Sequence, residues 1–222
     1  MSLAIFDLDN TLINGDSDYL WGQFLVEQGI VDRDRYESTN TRFYEEYKEG
    51  TLDIEAFLQF ALAPLAAHPL VKLCEWRSQY VEEKIKPILL PRARALIDRH
   101  KAIGETLLVI TATNRFVTEP IAALYGISNL LATLPELING RFTGRFSGIP
   151  CFQDGKILHL DQWLEKTGHS LKNSWFYSDS HNDLPLLNRV DNPVAVDPDE
   201  TLRQVALNND WPVISLREGT AS

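Results

Sequence analysis

The sequence predicts an α/β fold with a mostly parallel sheet, carrying a helical insertion. Three observations predict it. Several short apolar runs have the length and bounding residues of buried strands: Leu3 to Phe6, Thr106 to Ile110, Ser174 to Tyr177, Val194 to Val196 and Val213 to Leu216. Helix-like segments lie between them. The first two runs are separated by far more chain than a strand-helix-strand crossover requires.

Within roughly residues 16–86 the periodicity is helical. Leu20, Trp21, Phe24 and Leu25 share a face, as do Phe43, Tyr44 and Tyr47, then Phe57, Leu58 and Leu62, then Val71, Leu73, Trp76 and Tyr80. Glu49-Gly50 ends one helix, and Thr51 or Asp53 caps the next. A small helical bundle over the sheet is expected, with Tyr19, Trp21, Phe43, Tyr44 and Trp76 in its core. Pro91 to Ile103, opened by proline and closed by Gly104, reads as the helix feeding the second strand. Arg115 to Tyr125, closed by Gly126, follows that strand. Asn139-Gly140, inside Leu137 to Arg145, predicts a hairpin, and Trp211-Pro212 an edge strand.

With 222 residues, 44% hydrophobic and 10% aromatic, the chain can bury a real core. A formal net charge of −10 argues against a nucleic-acid partner, because binding a polyphosphate backbone needs a basic surface. Cys74 and Cys151 have no metal or redox spacing and are expected as buried apolar residues of a chain in a reducing compartment. The apolar run at the N-terminus stops at Asp7, short of a signal peptide or a membrane span, so a cytoplasmic location without membrane partners is expected.

Two of the apolar runs end in carboxylates: Asp7-Leu8-Asp9 after the first, and Asp179 to Asp183 after Ser174 to Tyr177. On neighbouring strands these acids converge and repel one another unless a cation joins them. One carboxylate can attack phosphorus while a second, protonated one supplies a proton to the departing alcohol. Magnesium suits such an oxygen-only set, with Asp179 as its best second carboxylate and Asn182 or Asp183 orienting ligand waters. Thr111-Ala112-Thr113-Asn114 supplies a hydroxyl and free backbone N–H groups for phosphate oxygens, and Lys156 a positive charge between phosphate and Asp7. His181 reads as a loop residue, and His68, His100, His159 and His169 as surface or capping residues.

In order along the chain, Asp7-Leu8-Asp9-Asn10-Thr11, Thr111, Lys156 and Asp179-Ser180-His181-Asn182-Asp183 resemble the four motifs of the haloacid dehalogenase-like phosphohydrolases, in their phosphoserine phosphatase-like branch. The resemblance covers essentially the whole chain. It implies a Rossmann-like core, residues 1–15 and 87–222, and a helical C1 cap, residues 16–86, hinged near Asn14-Gly15 and Ile85 to Leu90. It further implies a Mg2+-dependent phosphatase acting on a small phosphorylated metabolite. Asp7 would be the nucleophile and Asp9 the acid and then base; Thr111, Ala112 and Lys156 would hold phosphate; Asp7, Asp179 and the Asp9 carbonyl would hold the metal. Asp16 aligns with a cap glutamate of phosphoserine phosphatases, but Ala61 stands where their carboxylate-binding arginine should be. The D-S-D-Y segment at Asp16 to Tyr19 and the T-A-T-N at Thr111 to Asn114 look like histidinol-phosphate phosphatases instead, and Asp16, Asp18, Glu45 and Glu46 suit a cationic substrate. Phosphoserine hydrolysis and transfer of the aspartyl phosphate to another acceptor are the alternatives.

Overall fold

The computed structural model describes residues 2–217. Seven strands, β1 (Leu3–Phe6), β2 (Thr106–Asn114), β3 (Asn129–Ile138), β4 (Arg141–Ser147), β5 (Trp175–Ser178), β6 (Asn192–Val196) and β7 (Val213–Ile214), form one sheet in the order β4-β3-β2-β1-β5-β6-β7. Every pairing is parallel except the β3–β4 hairpin, which turns at Asn139-Gly140 as expected. The order reverses at β1, which lies between β2 and β5. A crevice therefore opens beyond the carboxyl ends of these three strands.

β1 is buried on both faces, and its alternation divides the core. Ala4 and Phe6 pack beneath α5 (Pro91–Ala102) and α6 (Arg115–Leu124); Leu3 and Ile5 pack with α7 (Asp154–Thr167), α8 (Leu184–Leu187) and α9 (Glu200–Asn208). Three strand expectations change in length, β6 by starting at Asn192, where the chain already pairs with Trp175 of β5. β2 continues to Asn114 because its polar end still pairs with β3 through a register shift, and Thr133 donates to the Ala112 carbonyl at 3.1 Å. β7 stops at Ile214 because the Leu216 N–H donates to the Asp197 carboxylate at 3.0 Å instead of to a strand.

Between β1 and β2 stand α1 (Ser17–Glu27), α2 (Arg33–Glu49), α3 (Ile54–Ala67) and α4 (Leu70–Tyr80), each fixed locally. Asp16, Asp32 and Asp53 cap the first three through backbone N–H groups, and α2 ends at Gly50 in the left-handed conformation (φ 72°). Where the chain leaves and re-enters the sheet domain its two crossings are stitched, with Ile13 bridged to Leu89 and the Asn14 N–H donating to the Ile88 carbonyl at 2.9 Å. The Tyr80 hydroxyl donates to the Ser17 carbonyl at 2.7 Å, and Arg77 to the Phe116 carbonyl at 2.8 Å.

Three smaller expectations are corrected. His100 is buried, not on the surface: its ring nitrogens engage Glu105 and, at 2.8 Å, the Tyr177 hydroxyl, because α5 lays it against β5. Cys151 is buried but Cys74, on α4, is only half-buried, packed against the edge of the bundle core. Trp76 packs edge-on against His68, 4.8 Å between ring centroids, only partly buried at the border of the bundle core. Among the described residues no single helix is long and apolar enough to cross a membrane.

Candidate active site

The chain turns immediately after β1, and that turn sets the site. The Asp7 N–H still donates to the Tyr177 carbonyl of β5 at 2.9 Å; beyond it Leu12 bonds back to Leu8, and Asn10 takes a positive φ of 54°. Asp7 and Asp9 thus project from a tight turn, not from a continuing strand. The Asp7 carboxylate accepts from the Lys156 ammonium at 2.7 Å, and the same ammonium reaches Asp183 at 2.7 Å. Ser178 donates to Asp183 at 2.7 Å. Lys156 is only 2% exposed. It gets there because Gly155 admits the start of α7 beneath the preceding loop: a Cβ there would lie 1.9 Å from the Pro150 carbonyl oxygen.

One ammonium serves two carboxylates, so the buried triad keeps an excess negative charge. Burial alone would discharge Lys156, but Asp183 and Asp7 reverse this and hold its pKa above the ordinary value. Burial raises Asp7 to about 7, opposed by Lys156 and reinforced by Asp183 and Asp9. Asp179 is held well above the ordinary carboxylate range by burial and then by the Asp7 and Asp183 charges; Thr11 donates to it at 3.2 Å. Among the described residues no three His, Cys, Asp or Glu side chains form a metal cage by themselves. Two carboxylates, Asp7 and Asp179, with an uncompensated negative charge nevertheless fit Mg2+, which keeps waters and takes substrate oxygens.

Asp9 is placed differently. It accepts from the Ser17 N–H at 2.6 Å, from Thr113 at 3.0 Å and from Thr111 at 3.4 Å, and among the described residues makes no ion pair. Burial, with the charge of Asp16, raises it to about 6 despite those donors. Thr111 is buried beside Ala112, its hydroxyl also accepting from the Thr113 N–H at 3.2 Å. Thr113, Ser17 and Ser178 were missed in the sequence, although Thr113 lies inside the T-A-T-N stretch.

His181 and Asn182 lie in a one-turn helix, not in an open loop. Asn182 accepts from Gln153 at 3.0 Å and donates to the Tyr47 carbonyl at 3.0 Å, tying the acidic segment to the end of α2. His181 pairs with Asp199 at 2.8 Å, and a Cβ on Gly50 would come within 2.8 Å of its Nε2. It therefore faces the α2 terminus.

An open cavity of about 540 Å³ runs from Asp7, Asp9, Thr111 and Ala112 to the helical insertion. Asp16, Asp18, Tyr19, Asn40, Phe43, Tyr44, Tyr47, Leu52, Ile54 and Phe57 line its far part. Tyr19 and Tyr44, expected in the bundle core, are thus cavity walls, while Phe43 is buried as expected and also lines the cavity, and Trp21 is buried at 2% exposure. Glu45 and Glu46 do not reach it: they pair along the outer surface of α2 with Lys48 at 3.3 Å and Arg42 at 3.2 Å. Burial lifts Asp16 and Asp18 each to about 7.

These raised carboxylates make stability depend on pH. Between about 4 and about 7 the unfolded chain has lost protons that folded Asp9, Asp16 and Asp18 still hold, so unfolding releases protons and stability falls as pH rises through that window. Thermal unfolding of EDTA-treated protein is expected to give a lower Tm at pH 8 than at pH 5.5, with Mg2+ recovering part of the loss. Asp18→Asn, which cannot titrate, is expected to flatten the dependence; an unchanged slope would refute the assignment.

Comparison with known proteins agrees with this geometry. The chain matches the haloacid dehalogenase-like hydrolase family over residues 4–188. It is 46% identical over 220 residues to a histidinol-phosphatase of Neisseria meningitidis serogroup C, covering 97% of this chain and 99% of that one. A crystal structure of a Bordetella pertussis Tohama I protein of unknown function superposes with a TM-score of 0.92 at 42% identity, over 97% of this chain and 99% of that one. A phospho-aspartyl intermediate analogue of phosphoserine phosphatase superposes with a TM-score of 0.72 at 18% identity, over 98% and 94%, a likeness of fold. With the family match spanning most of its length, this chain belongs to the haloacid dehalogenase-like hydrolases, and it is a phosphatase.

Proposed function

We propose that the protein is a Mg2+-dependent phosphomonoester hydrolase that works through an aspartyl phosphate on Asp7, with histidinol phosphate as its preferred substrate. The buried Lys156 between Asp7 and Asp183 carries this reading, because an ammonium enclosed beside a carboxylate opposes the burial that favours its protonated form and draws phosphate to it. Mg2+ bound by Asp7, Asp179 and the Asp9 carbonyl would neutralise phosphate charge. Thr111 and the backbone N–H of Ala112 hold phosphate oxygens. Asp9, raised to about 6 and free of any cation, gives its proton to the leaving alcohol and afterwards takes one from water. Residues 1–15 and 87–222 form the catalytic core and residues 16–86 the cap that covers the substrate, with Asn182 holding the acidic segment against it.

For the substrate, the 46%-identical relative named histidinol-phosphatase and the cavity chemistry agree. Asp16 lies in the cavity, and no Lys or Arg is among the described lining residues, so the carboxylate of phosphoserine would meet repulsion where the protonated amine of histidinol phosphate meets attraction. Phosphate release from histidinol phosphate, phosphoserine and p-nitrophenyl phosphate, with Mg2+ or with EDTA, tests the reading. Expected is kcat/KM for histidinol phosphate on the order of 10²-fold above that for phosphoserine, the scale of one lost polar recognition, and no turnover in EDTA. Equal rates on the two esters would remove the substrate, and full activity in EDTA the metal.

A further inference from the structure

We propose that Asp18, held in place by Asn114, receives a protonated nitrogen of the substrate and thereby selects phosphate esters of amino alcohols over neutral esters. The assignment rests on the phosphatase reading above. Asp16 already has a structural partner, since its carboxylate caps α1 through the Tyr19 N–H at 2.8 Å. Asp18, in the first turn of the same helix, caps nothing. It is 8% exposed, lines the cavity, and takes its one side-chain hydrogen bond from the Asn114 amide at 3.3 Å. Asn114 is itself oriented: its carbonyl accepts from the Val117 N–H at 3.3 Å at the start of α6, which leaves the amide to face Asp18.

A carboxylate taken from water needs a counter-charge or a full set of donors. Asp18 has one neutral donor, and no Lys, Arg or His is among the described residues of the cavity lining. A cationic occupant supplies the missing charge. Tyr19 adds aromatic surface that favours such a cation, beside Tyr44 at 4.9 Å between ring centroids, whose own ring carries the Lys48 ammonium 5.1 Å from its centroid. Asn at position 18 keeps the shape of the side chain and still accepts from Asn114.

The test compares wild type with Asp18→Asn on histidinol phosphate and p-nitrophenyl phosphate in Mg2+, and titrates L-histidinol, the dephosphorylated alcohol, into both by calorimetry. Loss of one partner of a buried charge pair is expected to lower kcat/KM on histidinol phosphate roughly 10²-fold, mainly through KM. The loss on p-nitrophenyl phosphate is expected to be at least about tenfold smaller, and L-histidinol binding to weaken in parallel with the larger effect. Equal losses on both esters, or unchanged L-histidinol affinity, would overturn the assignment. A wild type inert toward both esters would refute the phosphatase reading, and the titration would still decide the role of Asp18.

Discussion

Asp7→Asn is expected to lower turnover of every phosphate ester by roughly 10⁴-fold or more, the scale seen when a group that forms the covalent intermediate is lost. The amide keeps the shape of the side chain and still accepts from Lys156, which remains paired with Asp183 at 2.7 Å, so the fold has no reason to fail. Stability is expected to rise, because the substitution removes one of several buried like charges around Asp183 and Asp9. Single-turnover phosphate release and thermal unfolding on one preparation check both signs. A variant that keeps a tenth of wild-type turnover, with deamidation excluded by mass, would move the covalent step away from Asp7.

Lys156→Met acts in the opposite sense on stability. It leaves Asp7 and Asp183 buried without their cation, and breaking a buried ion pair by removing one partner costs roughly 3–5 kcal/mol. For a chain of this size that corresponds to a Tm about 6–20 °C lower, at ~2–4 °C per kcal/mol. The loss is expected to be larger at pH 8 than at pH 5, since at the lower pH Asp7, raised to about 7, takes up a proton instead of remaining an unpaired charge. Unfolding scans at the two pH values decide it. A Tm at pH 8 equal to that of wild type would show that Lys156 is not what balances the buried acids.

The structure explains why some of this was legible and some was not. Asp53 as a cap, Gly50 as a helix end and Asn139-Gly140 as a hairpin are decided within four residues by backbone donors and allowed φ, so the chain announces them. Glu45, Glu46 and Asp18 look alike as acids on helical segments. Only the rotation of each helix puts Asp18 in the cavity and turns the two glutamates outward to Arg42 and Lys48. Tyr19 differs for the same reason, since periodicity shows that a face is shared and not what packs against it, and His100 because its partner Tyr177 lies 77 positions away on another element.

By itself the sequence determined the apolar strand runs, the helical segment inserted after the first of them, and the order of the acidic, hydroxyl and lysine motifs, because each is written in contiguous residues. The tertiary structure alone decided that Lys156 meets Asp7 across 149 positions of chain, and that Thr113 and the Ser17 N–H rather than a cation hold Asp9. Those contacts follow from strand order and from the turn after β1, and a sheet's order is set by the packing of the whole core, which no local stretch encodes.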